Sequence, residues 1–274
     1  LMENNEHMHA AMWGARRSGL YYVPINIHLT PAEAAYIIEN SGASAVIGSA
    51  ALSQTCAGLA EHLTAGLPKL LMIADGELPG WDRYPECVAA QPDTPIDDEI
   101  EGDLLQYSSG TTGRPKGIKR ELTHLPPAEV PGLMKMLMSF WLPKDAVYLS
   151  PAPLYHTAPS VWSMQIQAEG VTTDVMEKFD AEGCLDAIAR YGITHGQFVP
   201  VMFTRMLKLP QSVRDSYDLS SLKHVTTAGE ALNPEVYHRF KEAVGLEIHE
   251  GFGQTESTLM LATFPGMQVK TGSM

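Results

Sequence analysis

The chain has 274 residues, 45% of them hydrophobic, and a formal net charge of −13 at pH 7. That is enough for one large domain or two small ones around a buried core, with a surface that repels nucleic acid and anionic membranes. A small phosphate compound can be held only by a local site that overrides this field.

Helix-like and strand-like segments alternate from end to end, the pattern of an α/β protein built from stacked βαβ units with mostly parallel sheets. A first helix is expected over residues 5–18. Thr30-Pro31-Ala32-Glu33 opens a second as a capping box with Pro at the first helical position, and Ala34, Ile37 and Ile38 supply its apolar face until Gly42 ends it. A short strand follows at 44–47, a helix at 56–63 and a strand at 69–73. An Asp/Pro/Gly-rich link covers 75–99 and places a subdomain boundary there, giving residues 1–95 and 96–274. Beyond it, strands are expected at 103–107, 147–150, 171–176, 194–199, 224–227 and 247–249, with helices filling most of the gaps.

Cys56, Cys87 and Cys184 are far apart, without CxxC spacing, which argues against a disulfide framework or a zinc site and fits a reducing, cytoplasmic setting. The longest uncharged stretch, 146–168, carries three prolines and a histidine, so no transmembrane segment is expected there. No signal peptide is visible. The chain starts at Leu1 and stops at Met274 without a polar tail, and both ends are expected to be cuts.

The strongest local signal is Tyr107-Ser108-Ser109-Gly110-Thr111-Thr112-Gly113-Arg114-Pro115-Lys116-Gly117, set directly after a strand. Glycines let backbone N–H groups turn inward as an anion nest, hydroxyls donate to phosphate oxygens, and a lysine adds a mobile positive charge. It is not a Walker A loop, since Lys116 lies between Pro115 and Gly117 and lacks the Gly before and the Ser or Thr after that such a loop needs. Two further segments follow. Pro153-Leu154-Tyr155-His156-Thr157-Ala158 places a histidine after a strand. Glu250-Gly251-Phe252-Gly253-Gln254-Thr255-Glu256 comes one βα unit after Ala228-Gly229-Glu230-Ala231. An aromatic ring at Phe252 can stack on a purine, and a Thr-Glu pair can offer a hydroxyl to an α-phosphate and a carboxylate to Mg²⁺.

These three motifs, in this order and spacing, resemble those of the adenylate-forming (AMP-binding) superfamily of acyl-CoA synthetases, luciferases and peptide-synthetase adenylation domains. The resemblance spans nearly the whole chain and matches most of that family's large N-terminal domain. Phe252 stands where the family usually has Tyr, which keeps the stacking face. Residues 103–219 resemble bacterial fatty-acyl and aryl CoA ligases and 225–274 medium-chain acyl-CoA synthetases, so the sequence reads as one mixed member or a mosaic.

The resemblance implies a ligase that uses ATP, Mg²⁺ and coenzyme A to activate a fatty or aryl acid, with no nucleic-acid partner. It implies that Ser108, Ser109, Gly110, Thr111, Thr112, Gly113 and Lys116 hold the pyrophosphate, Thr111 and Glu256 the Mg²⁺, and Thr255 the α-phosphate. Gly229, Glu230, Ala231, Glu250, Gly251, Phe252, Gly253 and Gln254 surround the nucleotide. His156 and Trp162 line the acid's path. The family's ribose-binding Asp and Arg and its catalytic Lys fall beyond this chain, so it is not expected to turn over alone. A peptide-synthetase or luciferase branch and a non-catalytic nucleotide binder remain alternatives.

Overall fold

The computed structural model describes residues 1–108, 114–130, 142–253 and 261–262. The chain forms two compact units, Leu1–Pro131 and Gly132–Met274.

In the first unit, α1 (Glu6–Arg17) starts where Asn5 Oδ1 accepts from the N–H groups of His7 and Met8 at 3.0 and 3.1 Å. This satisfies two donors that the helix leaves without intrahelical partners. After β1 (Tyr21–Tyr22), α2 (Pro31–Ser41) carries the expected capping box: Glu33 N–H donates to Thr30 Oγ1 at 3.3 Å and Thr30 N–H to Glu33 Oε2 at 2.8 Å. Gly42 closes the helix at φ +68°, a left-handed cap that glycine adopts without steric cost. The strands β2 (Ala45–Gly48), β3 (Leu70–Ile73) and β4 (Asp82–Arg83) make a parallel sheet in that order. Between β2 and β3 the expected 56–63 helix is shifted and broken into α3 (Ser53–Gly58) flanked by 3-10 turns. The link at 75–99 is not featureless, since it contains β4 and α4 (Tyr84–Ala89). Ile25, Ala34, Ile37, Ile38, Val46 and Leu59 form the core of this unit.

The strand expected at 103–107 is two strands with different partners. β5 (Asp103–Leu104) pairs parallel with β1, while β6 (Gln106–Ser108) pairs antiparallel with β7 (Lys116–Ile118). Because β5 is bonded to β1, the chain after the link stays with the first unit. The compact units accordingly divide at 131/132, later than the boundary suggested by composition.

The second unit is one six-stranded sheet built from β8 (Val147–Ser150), β9 (Thr172–Val175), β10 (His195–Phe198), β11 (His224–Ala228), β12 (Ile248–Phe252) and β13 (Leu261–Ala262). Its order is β13-β12-β11-β10-β8-β9, parallel except for the β12–β13 pair. Between the strands run α5 (Thr157–Ala168), α6 (Ala181–Tyr191), α7 (Pro200–Lys208), α8 (Gln211–Arg214) and α9 (Pro234–Val244). One sheet face presents Leu149, Phe198, Val225 and Ile248 to Leu185, Ile188, Phe203, Met206 and Phe240 in a single apolar core. The opposite face of β8 holds Tyr148 in a second cluster with Trp162, Ile166 and Val171. The α/β class with mostly parallel strands is therefore as the sequence indicated.

Candidate nucleotide-binding site

The topology of the second unit decides where its candidate segments emerge. From β8 the chain moves to β9 on one side, then returns past β8 to β10 on the other. The strand order thus reverses between β8 and β10, and in open parallel sheets ligands bind outside the carboxyl ends of the strands at such a reversal. Three of the segments singled out in the sequence leave from those carboxyl ends: 151–156 after β8, 229–232 after β11, and 250–253 at the end of β12.

Each is held by local structure. His156 is exposed and occupies the N-cap position of α5, its ring 4.6 Å from that of the buried Tyr155. Gly229 adopts φ +97°, a conformation that side chains with a Cβ rarely enter, so the sharp exit from β11 depends on glycine there. Glu230 and Ala231 on the exit are exposed. The Leu232 N–H donates to Glu250 Oε1 at 3.3 Å and ties the exit to the neighbouring strand. Gly251 pairs with Ala228 across β11 and β12, and Gly253 is exposed just past the strand end. β12 runs further than the 247–249 expected, so Glu250 and Gly251 are strand residues and not loop residues.

Trp162 is buried, packed with Tyr148, Ile166 and Val171.

In the first unit, the flanks of the glycine-rich loop form the β6–β7 ladder, with Ser108 facing Lys116 across it. Lys116 is exposed at the start of β7 and Ser108 is half-buried at the end of β6. The stem is fastened by aromatic side chains. Tyr107 OH donates to Asn40 Oδ1 at 2.7 Å, Tyr36 OH to the Pro115 carbonyl at 3.2 Å, and the Arg114 guanidinium lies 5.2 Å from the Tyr36 ring centroid. Burial, with Tyr36 beside it, raises the Tyr107 hydroxyl above its ordinary range. Gly117 lies so close under Tyr107 that a Cβ there would meet the ring at 2.9 Å. Below the stem, Arg120 grips Asp103 with two 2.8 Å bonds.

Ser109, Gly110, Thr111, Thr112 and Gly113 lie outside the described residues, as do Gln254, Thr255 and Glu256 and the side chain of Phe252. Among the described residues no group of three His, Cys, Asp or Glu could hold a metal ion, and no helix is long and apolar enough to cross a membrane.

Sequence reasoning missed two kinds of residue. Tyr36 and Asn40 anchor the loop from a helix far earlier in the chain, and no local pattern marks them. Ser150 and Gln197 sit at the carboxyl ends of β8 and β10, each 1% exposed, and neither Ser150 Oγ nor Gln197 Oε1 has a hydrogen-bond partner among the described residues. Polar residues inside otherwise buried parallel strands were the available signal.

A profile described as AMP-binding enzyme matches residues 1–274. Among curated proteins the chain is 31% identical over 271 residues to the mitochondrial acyl-coenzyme A synthetase ACSM5 of Rattus norvegicus, covering 94% of this chain and 44% of that protein. It is 31% identical over 267 residues to the uncharacterized acyl-CoA ligase YtcI of Bacillus subtilis, covering 94% of this chain and 48% of that protein. Among solved structures, the anthranilate CoA ligase AuaEII in complex with anthranoyl-AMP superposes with a TM-score of 0.82 at 24% identity, over 99% of this chain and 52% of that one. The chain thus spans about half the length of these relatives or less.

Proposed function

The chain belongs to the AMP-binding enzyme family, and from that premise we propose that it supplies the ATP-handling part of an acid:thiol ligase that activates a fatty or aryl carboxylic acid and passes it to coenzyme A. The observation that carries this reading is the emergence of segments 151–156, 229–232 and 250–253 from the carboxyl ends of one parallel sheet around its point of strand reversal. Ligands bind at such an edge in open α/β sheets.

In the proposed reaction a carboxylate oxygen attacks the α-phosphorus of ATP, the bond to the β-phosphate breaks and pyrophosphate leaves. The thiolate of coenzyme A then attacks the acyl carbon and AMP departs. Both steps redistribute negative charge, so what the protein must provide is placed donors and positive charge. Ser108 to Lys116 take the pyrophosphate, with the Lys116 ammonium on exposed β7 free to swing toward it. Thr255 donates to the α-phosphate. Gly229 to Ala231 and Glu250 to Gln254 enclose the adenosine. His156, exposed at the helix cap, lies on the acid's path.

Thr111 and Glu256 offer the hydroxyl and carboxylate oxygens that a hard divalent cation prefers, which fits Mg²⁺. The ion's contribution when bound is to neutralise charge on the phosphates.

The test is acid-dependent exchange of pyrophosphate into ATP by a protein carrying this chain at its relatives' length. Glu256→Ala should abolish Mg²⁺-dependent exchange with an unchanged circular dichroism spectrum. Near-normal exchange in that variant overturns the metal assignment, and no exchange with any carboxylic acid in the unaltered protein overturns the ligase reading.

A further inference from the structure

The amino ends of β10, β11 and β12 carry a feature with no part in the proposed chemistry. His195 pairs in register with His224, and His249 pairs with Thr226 two residues along the same strand. Side chains two apart on a strand share a face, so all three imidazoles lie on one face of the sheet. They are stacked there: the His195 and His224 ring centroids are 5.7 Å apart at 27°, and those of His224 and His249 are 4.4 Å apart at 4°. Their exposures are 3%, 6% and 9%. Parallel sheets are ordinarily apolar on both faces, so three contiguous buried histidines call for a physical account.

A metal centre does not supply it. Ring nitrogens present their lone pairs in the ring plane, and rings stacked within 4° cannot aim them at one ion.

The surroundings favour the uncharged rings. His195 Nδ1 lies 2.7 Å from Thr194 Oγ1 and His224 Nε2 lies 3.0 Å from Thr226 Oγ1, and a hydroxyl serves either neutral tautomer as donor or acceptor. On β8 the register partner of His195 is the buried Tyr148, whose burial pushes its hydroxyl far above the ordinary range. On β12 the carboxylate of Glu247 is engaged by Lys241 of α9 at 2.8 Å, and Glu250 accepts from Leu232. Before His224 on the chain, the ammonium of Lys223 donates to the Ser220 carbonyl.

We propose that the His195–His224–His249 stack is an acid-labile clasp: its neutral rings hold the amino ends of β10, β11 and β12 together, and protonation drives them apart. Two positive charges 4.4 Å apart in a buried face would repel with little solvent screening. Consistent with this, burial first, then His249 and His195, hold His224 down at about 3, and burial depresses His249 although Glu247 pulls the other way. These groups take up protons more readily when unfolded than when folded. Their contribution to stability is therefore full above the unfolded value near 6.5 and is lost as pH falls below it. The proposal does not depend on the ligase reading.

The experiment is urea unfolding of this chain at pH 7.5, 6.5 and 5.5, compared with His224→Gln and with the exposed His238→Gln as control. A single histidine held neutral in the fold raises the unfolding constant by about tenfold between pH 7.5 and 5.5. His224→Gln should remove at least that much of the acid sensitivity, and His238→Gln should leave it. Equal pH slopes in the unaltered chain and His224→Gln overturn the proposal. If His224→Gln does not fold, the ring-proton NMR signals of the unaltered chain decide: the His224 and His249 rings should stay neutral down to the pH at which the chain opens, and ordinary titration of both near 6.5 while folded contradicts the clasp.

Discussion

The two units place their candidate segments by different physics. In the second, topology does the work: every strand of a parallel sheet ends at the same edge, so segments 100 residues apart in sequence leave from one place. In the first, the glycine-rich loop is carried on a three-residue antiparallel ladder too short to be stable alone, and side chains from α2 fasten it. An edge built from a whole sheet stands or falls with the core beneath it. A stem pinned by two tyrosines can be loosened one contact at a time.

The largest effect expected from breaking this contrast is in the sheet core. Phe203 is fully buried between Phe198 and Phe240, 5.5 and 4.8 Å between centroids. Phe203→Ala should cost about 3–5 kcal/mol, read as a lower urea midpoint. It should also speed amide exchange throughout β8, β10, β11 and β12. Loss confined to α7 would show that the edge does not depend on a shared core.

Gly117→Ala comes next. The added methyl meets the Tyr107 ring at 2.9 Å, so ring or strand must move, at about 1–3 kcal/mol. Here faster exchange should be confined to the stem, at Gln106, Tyr107 and Ile118, with the second unit unaffected.

The smallest effect sharpens the contrast further. Tyr107→Phe keeps the ring and removes the 2.7 Å bond to Asn40 Oδ1, for about 1 kcal/mol. Tyr36→Phe, which loses the bond to the Pro115 carbonyl, should cost a similar amount. Since the two bonds hold β6 and the residue that leads into β7, the double variant should depart from additivity; strict additivity in a double-mutant cycle would mean that the stem is held elsewhere.

The same contrast explains what could be read from the sequence. The capping box at Thr30 and Glu33, Gly42, and the runs that became β8, β10 and β11 are local signals, and the structure follows them to within a residue or two. β1, β4 and β7 are two or three residues long, too short to show any alternation, and β1 exists because of β5, a partner distant in the chain. Tyr36 and Asn40 read as ordinary helix residues until α2 is set against the stem. The histidine stack was equally hidden, because His195, His224 and His249 come together only through strand register. Trp162, an aromatic next to a motif, packs with Tyr148, Ile166 and Val171.

The central proposal is that the glycine-rich loop and the carboxyl ends of the second unit's strands each serve nucleotide binding. Its most direct test is equilibrium dialysis of this chain, with Mg²⁺, against a non-hydrolysable acyl-adenylate analogue, with Gly229→Val and Thr111→Ala as paired variants. The account predicts binding by the unaltered chain and weakening by at least tenfold in each variant. Gly229→Val distorts the exit from β11, and Thr111→Ala removes a loop hydroxyl. Binding that is unchanged by either substitution, in variants that remain folded, would contradict it.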